Sequence, residues 1–252
     1  MMDLEGRTAV VTGGASGIGA ACMEALRGAG CRVVGWDVLP ARDVIACDVS
    51  SQPAVEQALA QTQRDAGAPS LLVAAAGLGW GQRILDTRVE DWDRIFAVNM
   101  RGVMLAVQAV ARPLVASGAG GSMVLISSIN SILADHALSA YGATKAGVNM
   151  FARVAAREFG PYGVRVNAIG PGPTATPMLA PTMQRPGYLA EVDVRTPLGG
   201  IGQPEQIAEA VVNLMRTDWV TGQAIMVDGG ASLHTGRKGW GDGEAVDPRA
   251  PR

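Results

Sequence analysis

The chain is a succession of short apolar runs separated by longer stretches in which apolar residues return every three or four positions. The runs are Thr8-Ala9-Val10-Val11 within a segment 7–12, Cys31-Arg32-Val33-Val34-Gly35-Trp36, Val44-Ile45-Ala46-Cys47, Ser70-Leu71-Leu72-Val73-Ala74-Ala75-Ala76, Ser122-Met123-Val124-Leu125-Ile126, Val164-Arg165-Val166-Asn167-Ala168-Ile169 and Gln223-Ala224-Ile225-Met226-Val227. The run ending at Ala76 is apolar at nearly every position, as expected of a parallel strand covered on both faces. The intervening spacing predicts helices over 17–28, 51–66, 91–115, 141–159 and from Pro204 to Arg216. Ser51 stands where it can cap the second helix, with Pro53 tolerated near its start. The third is interrupted near Asn99 and Arg101-Gly102 and weakened at its end by Pro113, and Gly160-Pro161 stop the fourth. The short segment between Asp37 and Asp48 leaves little room for a helix.

Strand and helix alternating this often predict an α/β fold: a single-domain, Rossmann-like, doubly wound parallel sheet of about seven strands with helices on both faces. The domain is expected over 1–234. Within it, residues 174–203 read as an irregular, substrate-shaping segment, with prolines at 177, 181, 186 and 197 and Pro204 following. Residues 235–252 read as a polar C-terminal tail, either frayed or docked on a neighbouring subunit through Trp240. There is no internal repeat and no linker.

Composition narrows the function classes. A chain of 252 residues, 48% hydrophobic, can bury a large core, and its 33 glycines suit many strand-to-helix turns. With 21 basic against 23 acidic residues and no dense basic run, it lacks the surface that neutralises nucleic-acid phosphates. Cys22, Cys31 and Cys47 are odd in number and form no C-x-x-C pair, so they read as buried thiols. His136 and His234 are too few and too far apart for a metal cluster, and no metal is expected. The N-terminal residues include Asp3 and Glu5 with no basic, apolar leader, and no uncharged stretch reaches membrane-spanning length. The expected compartment is therefore cytoplasmic, with no membrane partner.

The stretch Thr12-Gly13-Gly14-Ala15-Ser16-Gly17-Ile18-Gly19 joins the first strand to the first helix. Gly13 permits a tight turn, Gly17 lacks the Cβ that would obstruct a pyrophosphate, and Gly19 lets the helix pack closely; free amides at the helix start face the anion. A glycine cluster here also serves as a plain tight turn. Asp37, ending the second strand, is at the distance expected of a group that accepts both ribose hydroxyls of NAD and repels the additional phosphate of NADP. Val38, and the lack of Arg or Lys near Ser16 or Asp37, point the same way; the alternative is a turn-capping role for Asp37. Tyr141 and Lys145, at i and i+4, share one helix face, and Ser128 follows a strand. A tyrosine hydroxyl exchanges an alcohol proton when a nearby ammonium lowers its pKa from about 10. Ser128 donates to the substrate oxygen, where charge grows. As a motif in isolation, Tyr-x-x-x-Lys also fits an ordinary surface pair.

Taken together, these motifs resemble the short-chain dehydrogenase/reductase family over nearly the whole chain. The resemblance implies catalytic residues Asn99, Ser128, Tyr141 and Lys145, with Asn99 holding a water that links the lysine to solvent. It implies a cofactor site of Gly13, Ser16, Gly17, Ile18, Gly19, Asp37, Asp48, Val49, Ala75, Ala76, Gly77, Tyr141, Lys145, Ile169, Pro171, Gly172, Thr174 and Thr176. In it, Asp48 and Val49 flank the adenine, Ile169 meets the carboxamide through its backbone, and Thr176 does so through its side chain. Pro197-Leu198-Gly199 through Glu205 and Thr221 through Gly230 are also of the family type. One departure is Ala74-Ala75-Ala76-Gly77, where the family has asparagine; the loss is expected to cost local rigidity rather than chemistry.

Ile129, Leu133, Leu138, Met178, Leu179, Met183 and Tyr188 make the expected substrate pocket largely apolar, while Asn130, Asp135 and His136 add polar specificity or form a solvated loop. His136 is not needed as a base. The expectation is an NAD(H)-dependent oxidoreductase that interconverts a hydrophobic secondary alcohol (cyclic, aryl or steroid-like) and its ketone. The alternatives are a carrier-linked 3-oxoacyl reductase, a cis-diol dehydrogenase and a non-catalytic NADH-binding regulator. The family resemblance implies a homotetramer, or a dimer, with Val148, Met150, Phe151, Val154 and Ala155 serving core and subunit contact together.

Overall fold

The computed structural model describes residues 1–79 and 81–233. His234, Trp240 and the tail expected over 235–252 lie outside the described residues. Seven strands form one parallel sheet: β1 (Thr8–Thr12), β2 (Arg32–Asp37), β3 (Val44–Ala46), β4 (Pro69–Ala74), β5 (Gly121–Ile126), β6 (Val164–Pro171) and β7 (Ala224–Val227). Their order is β3-β2-β1-β4-β5-β6-β7, so the winding reverses between β1 and β4. In such a sheet, the crevice outside the carboxyl ends of the strands at that reversal is where ligands bind.

Helices α1 (Gly17–Gly28), α2 (Gln52–Ala66), α3 (Val89–Phe96), α4 (Gly102–Ser117), α5 (Ser139–Phe159), α6 (Ala180–Met183), α7 (Tyr188–Arg195) and α8 (Pro204–Arg216) complete the fold. Strand side chains alternate between two cores. Val10, Leu72, Met123 and Leu125 point to the layer holding α2, α4 and α5, where Val107, Val110 and Val148 meet them. Val11, Leu71, Val73 and Val124 point to the other, where Met23 and Leu26 of α1 meet Ile207, Val211 and Met215 of α8. Both faces of the central strands are thus apolar, which is why their sequences show runs rather than alternation.

Several local expectations are corrected. Ser51 precedes α2 in extended conformation, but its side chain makes no capping bond. Pro113 does not weaken α4 enough to end it; the helix runs on to Ser117 because Val110, Ala111 and Leu114 are buried around it. The segment 174–203 is not wholly irregular, for it contains α6 and α7. Pro181 sits in the first turn of α6, where its missing N–H has no helical partner to lose, and Val192 anchors α7 by burial. The apolar run ending at Ala76 leaves the sheet at Ala74. The interruption near Asn99 is a π-helical turn, Ala97–Arg101, joining α3 to α4. The continuous helix Val89–Ser117 is long and apolar enough to cross a bilayer, yet half of its most apolar window is buried within the protein. On α5, Val148 and Ala155 are core residues and Phe151 packs against them, whereas Met150 and Val154 are exposed.

Candidate active site

The expected site residues converge at the carboxyl edge of the sheet. The glycine turn follows β1, and Gly13 (φ +69°) and Gly17 (φ +52°) both adopt the left-handed conformation. A Cβ on Gly13 would stand 2.8 Å from the Ala76 nitrogen, and one on Gly19 would stand 2.0 Å from the Gly13 carbonyl. Gly19 therefore closes on the turn itself. A Cβ on Gly17 would approach Thr176 Cγ2 at 3.3 Å, so the loop after β6 passes over the turn. Ser16, before α1, makes no side-chain capping bond, and the first-turn amides have no acceptor within the helix. Asp37 Oδ2 accepts the Ala15 N–H at 3.0 Å and Oδ1 accepts that of Leu39 at 3.0 Å, bringing the carboxylate against the turn. A cradle with no room for Cβ, a helix start and a carboxylate fit a dinucleotide.

Arg27 and Arg42 line a groove of about 950 Å³ with Gly14, Ala15 and Gly17. Arg27 pairs with Glu24 and, at 3.0 Å, with Asp43; Arg42 lies 3.6 Å from Asp43.

Some assigned cofactor residues have other partners. Asp48 Oδ1 closes its own turn on Ser50 N (2.9 Å) and Oγ (2.7 Å). Val49 is buried against Gly102, leaving only its backbone for the crevice. Ile169 is buried within β6, and its carbonyl accepts the Ser127 N–H at 2.6 Å. Pro171 ends β6 and Gly172 packs against Asp228. Thr174 donates to the Gly172 carbonyl at 2.9 Å, and Thr176 to that of Thr174 at 3.3 Å. Ile18 packs under the turn on the α1 side.

Ala75, Ala76 and Gly77 cross the crevice beyond β4. The Ala76 N–H donates to Thr12 Oγ1 at 3.1 Å. A Cβ on Gly77 would lie 3.4 Å from Asn99 Oδ1 and 3.5 Å from Lys145 Nζ, so these three residues meet. Asn99 is fully buried. Its Oδ1 accepts the Leu78 N–H (2.8 Å), and its Nδ2 donates to the Leu78 carbonyl (3.0 Å) and Thr144 Oγ1 (3.2 Å). Both of its amide protons are thus used within the protein, and its oxygen holds the strap beyond β4. Thr144 and Ser127 were not singled out from sequence. Thr144 also donates to the Tyr141 carbonyl at 2.7 Å, and Ser127 Oγ to the Lys145 carbonyl at 3.0 Å. Their positions beside Lys145 and Ser128 were the available signal.

Lys145 is buried; its Nζ donates to the Ile126 carbonyl at 2.9 Å and lies 5.6 Å from the centre of the Tyr141 ring. Burial lowers its pKa to about 8. Burial also raises the Tyr141 phenol, opposed by a hydrogen bond from Ser128. In the protein alone desolvation outweighs that contribution, and the Lys145 ammonium stands over the tyrosine ring while bonded to the Ile126 carbonyl. Ser128 Oγ accepts the Asn130 N–H at 3.1 Å.

Beside this group lies a cavity of about 750 Å³ whose lining includes Ile84, Leu85, Ile132, Leu133 and Leu138, with Asn130, Asp135 and His136 among its polar residues. Ile129 adjoins Ser128 in the 3-10 turn Ile129–Ser131. Met178 is about half exposed and crowds Gly79, while Tyr188 stacks with Arg185 at 5.4 Å; neither lines that cavity. Among the described residues, no group of three His, Cys, Asp or Glu side chains is placed to hold a metal.

Comparison with known proteins agrees with this geometry. The family model described as enoyl-(acyl carrier protein) reductase matches residues 13–232. A (3R)-3-hydroxyacyl-CoA dehydrogenase of Canis lupus familiaris is 36% identical over 254 residues, covering 91% of this chain and 97% of that relative. An L-xylulose reductase of Bos taurus is 36% identical over 244 residues, covering 91% and 98%. The crystal structure of a gluconate 5-dehydrogenase from Burkholderia cenocepacia J2315, in complex with NADP and tartrate, superposes with a TM-score of 0.86 at 29% identity, covering 91% of this chain and 96% of that one.

The buried lysine has a stability consequence. Below pH 8 it is charged in both states, and folding bears its full desolvation. Between about 8 and 10.5 the folded protein has lost a proton that the unfolded chain keeps, so this contribution rises with pH. Lys145→Met is expected to be more stable than wild type at pH 7 by about 1–2 kcal/mol, after allowing for the Ile126 carbonyl left without its donor. The advantage should shrink as pH climbs through that window. Urea denaturation at pH 7 and pH 10 checks it.

Proposed function

This chain belongs to the short-chain dehydrogenase/reductase family, and from that premise we propose that it interconverts a hydrophobic secondary alcohol and its ketone with NAD(H), Tyr141 serving as acid and base. Membership makes it an enzyme, an oxidoreductase of secondary alcohols that binds a nicotinamide cofactor. The observation carrying the finer reading is the convergence of Ser128, Tyr141 and Lys145, with Lys145 buried and its Nζ 5.6 Å from the centre of the tyrosine ring.

When bound, the nicotinamide supplies hydride acceptance and donation at the reacting carbon. Tyr141 takes the proton from the alcohol oxygen, or returns it to the ketone oxygen. Ser128 donates a hydrogen bond to that oxygen as its charge changes. Lys145 keeps positive charge beside the phenol and favours its ionised form as the crevice fills. Asn99 and Thr144 hold the strap and the helix that set these side chains in register.

The Asp37 carboxylate beside the turn supports NAD. It can still accept ribose hydroxyls, whereas a 2′-phosphate would meet a like charge. Arg27 and Arg42, tied to Glu24 and Asp43, leave that preference in place. The apolar side chains Ile132, Leu133 and Leu138 of the 750 Å³ cavity, which adjoins Ser128 and Tyr141 through Asn130 and Gly142 without being lined by them, support a hydrophobic substrate. The 36% identical hydroxyacyl-CoA dehydrogenase supports a second reading, a 3-hydroxyacyl thioester, which is also a secondary alcohol on an apolar chain. Exposed Met150 and Val154 on α5 support a homotetramer built through that helix.

Turnover is measured on a panel of cyclic, aryl and steroid alcohols and 3-hydroxybutyryl-CoA, with NAD and NADP. Tyr141→Phe should lower kcat about a thousandfold while NADH binding, followed by fluorescence, stays within about twofold of wild type. Normal turnover in this variant would refute the assignment. Asp37→Ser should reduce the NAD-to-NADP ratio of kcat/KM by about tenfold or more, corresponding to about 1.4 kcal/mol of discrimination; an unchanged ratio would remove Asp37 as its determinant.

A further inference from the structure

We propose that Asn130 and Asp135 are positioning residues that hold the Ser128 hydroxyl toward the substrate oxygen. The inference rests on the reading that Ser128 serves that oxygen.

Ser128 ends an extended segment immediately after β5, and a serine hydroxyl there is free to rotate unless neighbours restrict it. Asn130 contacts it twice. Its main-chain N–H donates to Ser128 Oγ at 3.1 Å, and its Oδ1 lies 3.4 Å from the same oxygen. The orientation of that amide is determined chemically. Asn130 Nδ2 donates to Asp135 Oδ2 at 2.8 Å. An ionised carboxylate only accepts, so the NH2 must face Asp135 and the carbonyl oxygen must face Ser128. One lone pair of Ser128 Oγ is then occupied by the main-chain amide, and the Asn130 amide oxygen takes up the hydroxyl proton as a weak acceptor. At 3.4 Å that acceptor is too distant to keep the proton once a substrate oxygen offers a shorter bond.

Both ends of the pair are anchored. The Asn130 carbonyl packs against α5, where a Cβ on Gly142 would meet it at 3.1 Å, one residue from Tyr141. Asp135 accepts the Leu138 N–H at 3.3 Å through its own carbonyl, in a loop containing Ala137 at φ +65°. That conformation is disfavoured for a residue with a Cβ, and here the Gln82 N–H, 2.7 Å from the Ala137 carbonyl, helps to hold it. Ser131 Oγ donates to the Ser128 carbonyl (2.6 Å) and accepts from Asn149 Nδ2 (2.8 Å), so the backbone of the turn has a separate anchor. Loss of the Asn130–Asp135 bond should free the hydroxyl without unfolding the turn.

The test compares Asn130→Leu, Asp135→Leu and Asp135→Asn in wild-type and Ser128→Ala backgrounds. The first readout is steady-state kinetics on whichever of 1-phenylethanol and 3-hydroxybutyryl-CoA wild type oxidises faster. The second, needing no substrate, is ultraviolet titration of Tyr141 in a Tyr162→Phe, Tyr188→Phe protein, where it is the remaining tyrosine of the chain's three. Asn130→Leu and Asp135→Leu should each lower kcat about tenfold, less than the loss of a full donor, with KM within about twofold. Asp135→Asn, which keeps an acceptor oxygen, should recover most of the loss. Neither leucine variant should add to Ser128→Ala, because a residue acting through Ser128 has nothing left to position. Both should shift the Tyr141 titration downward, because the Ser128 proton no longer drawn to Asn130 is free to meet the phenolate, whereas Ser128→Ala should shift it upward. An additive loss, a KM effect at constant kcat, or an unmoved titration would overturn the proposal. Full activity in Ser128→Ala alone would instead refute the underlying role of Ser128.

Discussion

The carboxyl edge of this sheet is organised around an ammonium group taken out of water. Lys145 stands on α5 with its Nζ on the Ile126 carbonyl and over the Tyr141 ring. Burying a lysine is unfavourable unless its hydrogen-bonding capacity is met, and burial alone lowers its pKa to about 8. The fold tolerates it because the surrounding polar groups are fixed. Ser127 bonds the Lys145 carbonyl, Thr144 bonds that of Tyr141, and Asn99 ties Thr144 to the strap after β4. Stability is given up at the point where charge can act on the phenol.

The π-helical turn Ala97–Arg101 has a place in this arrangement. A regular helix would carry Asn99 at a fixed pitch along the helix surface. The extra residue of a π turn re-aims the side chain and frees local backbone groups, and such turns occur frequently at functional sites. Here Asn99 uses all its side-chain donors and its acceptor on protein groups. Asn99, together with Thr12 Oγ1 on the Ala76 N–H, secures the strap of small residues beyond β4.

The sheet was legible in the sequence because both of its faces are buried. Runs such as Ser122–Ile126 carry little information about register but mark a central parallel strand clearly. The glycine turn and the residues Ser128, Tyr141 and Lys145 were legible through spacing, which fixes which chemistries share an edge or a helix face. The direction of the tyrosine shift was not: it depends on whether desolvation or a charge dominates, and that requires knowing that Lys145 bonds Ile126. Helices α6 and α7 were hidden by prolines, which punctuate the segment 174–203 rather than keep it irregular. Asn130 read as a pocket residue because nothing in the sequence shows that Asp135, five positions on, returns to meet it.

The central claim is that Tyr141 is an acid and base whose proton affinity is raised by burial and brought back toward neutrality by what the crevice holds. Its most direct measurement is the ultraviolet titration of Tyr141, with Tyr162 and Tyr188 replaced by phenylalanine, in the presence and absence of saturating NAD. The account predicts an apparent pKa above the usual tyrosine value of about 10 for the protein alone and a fall of at least about one unit when NAD binds. A pKa below 10 in the protein alone, or one that NAD leaves unmoved, would contradict it.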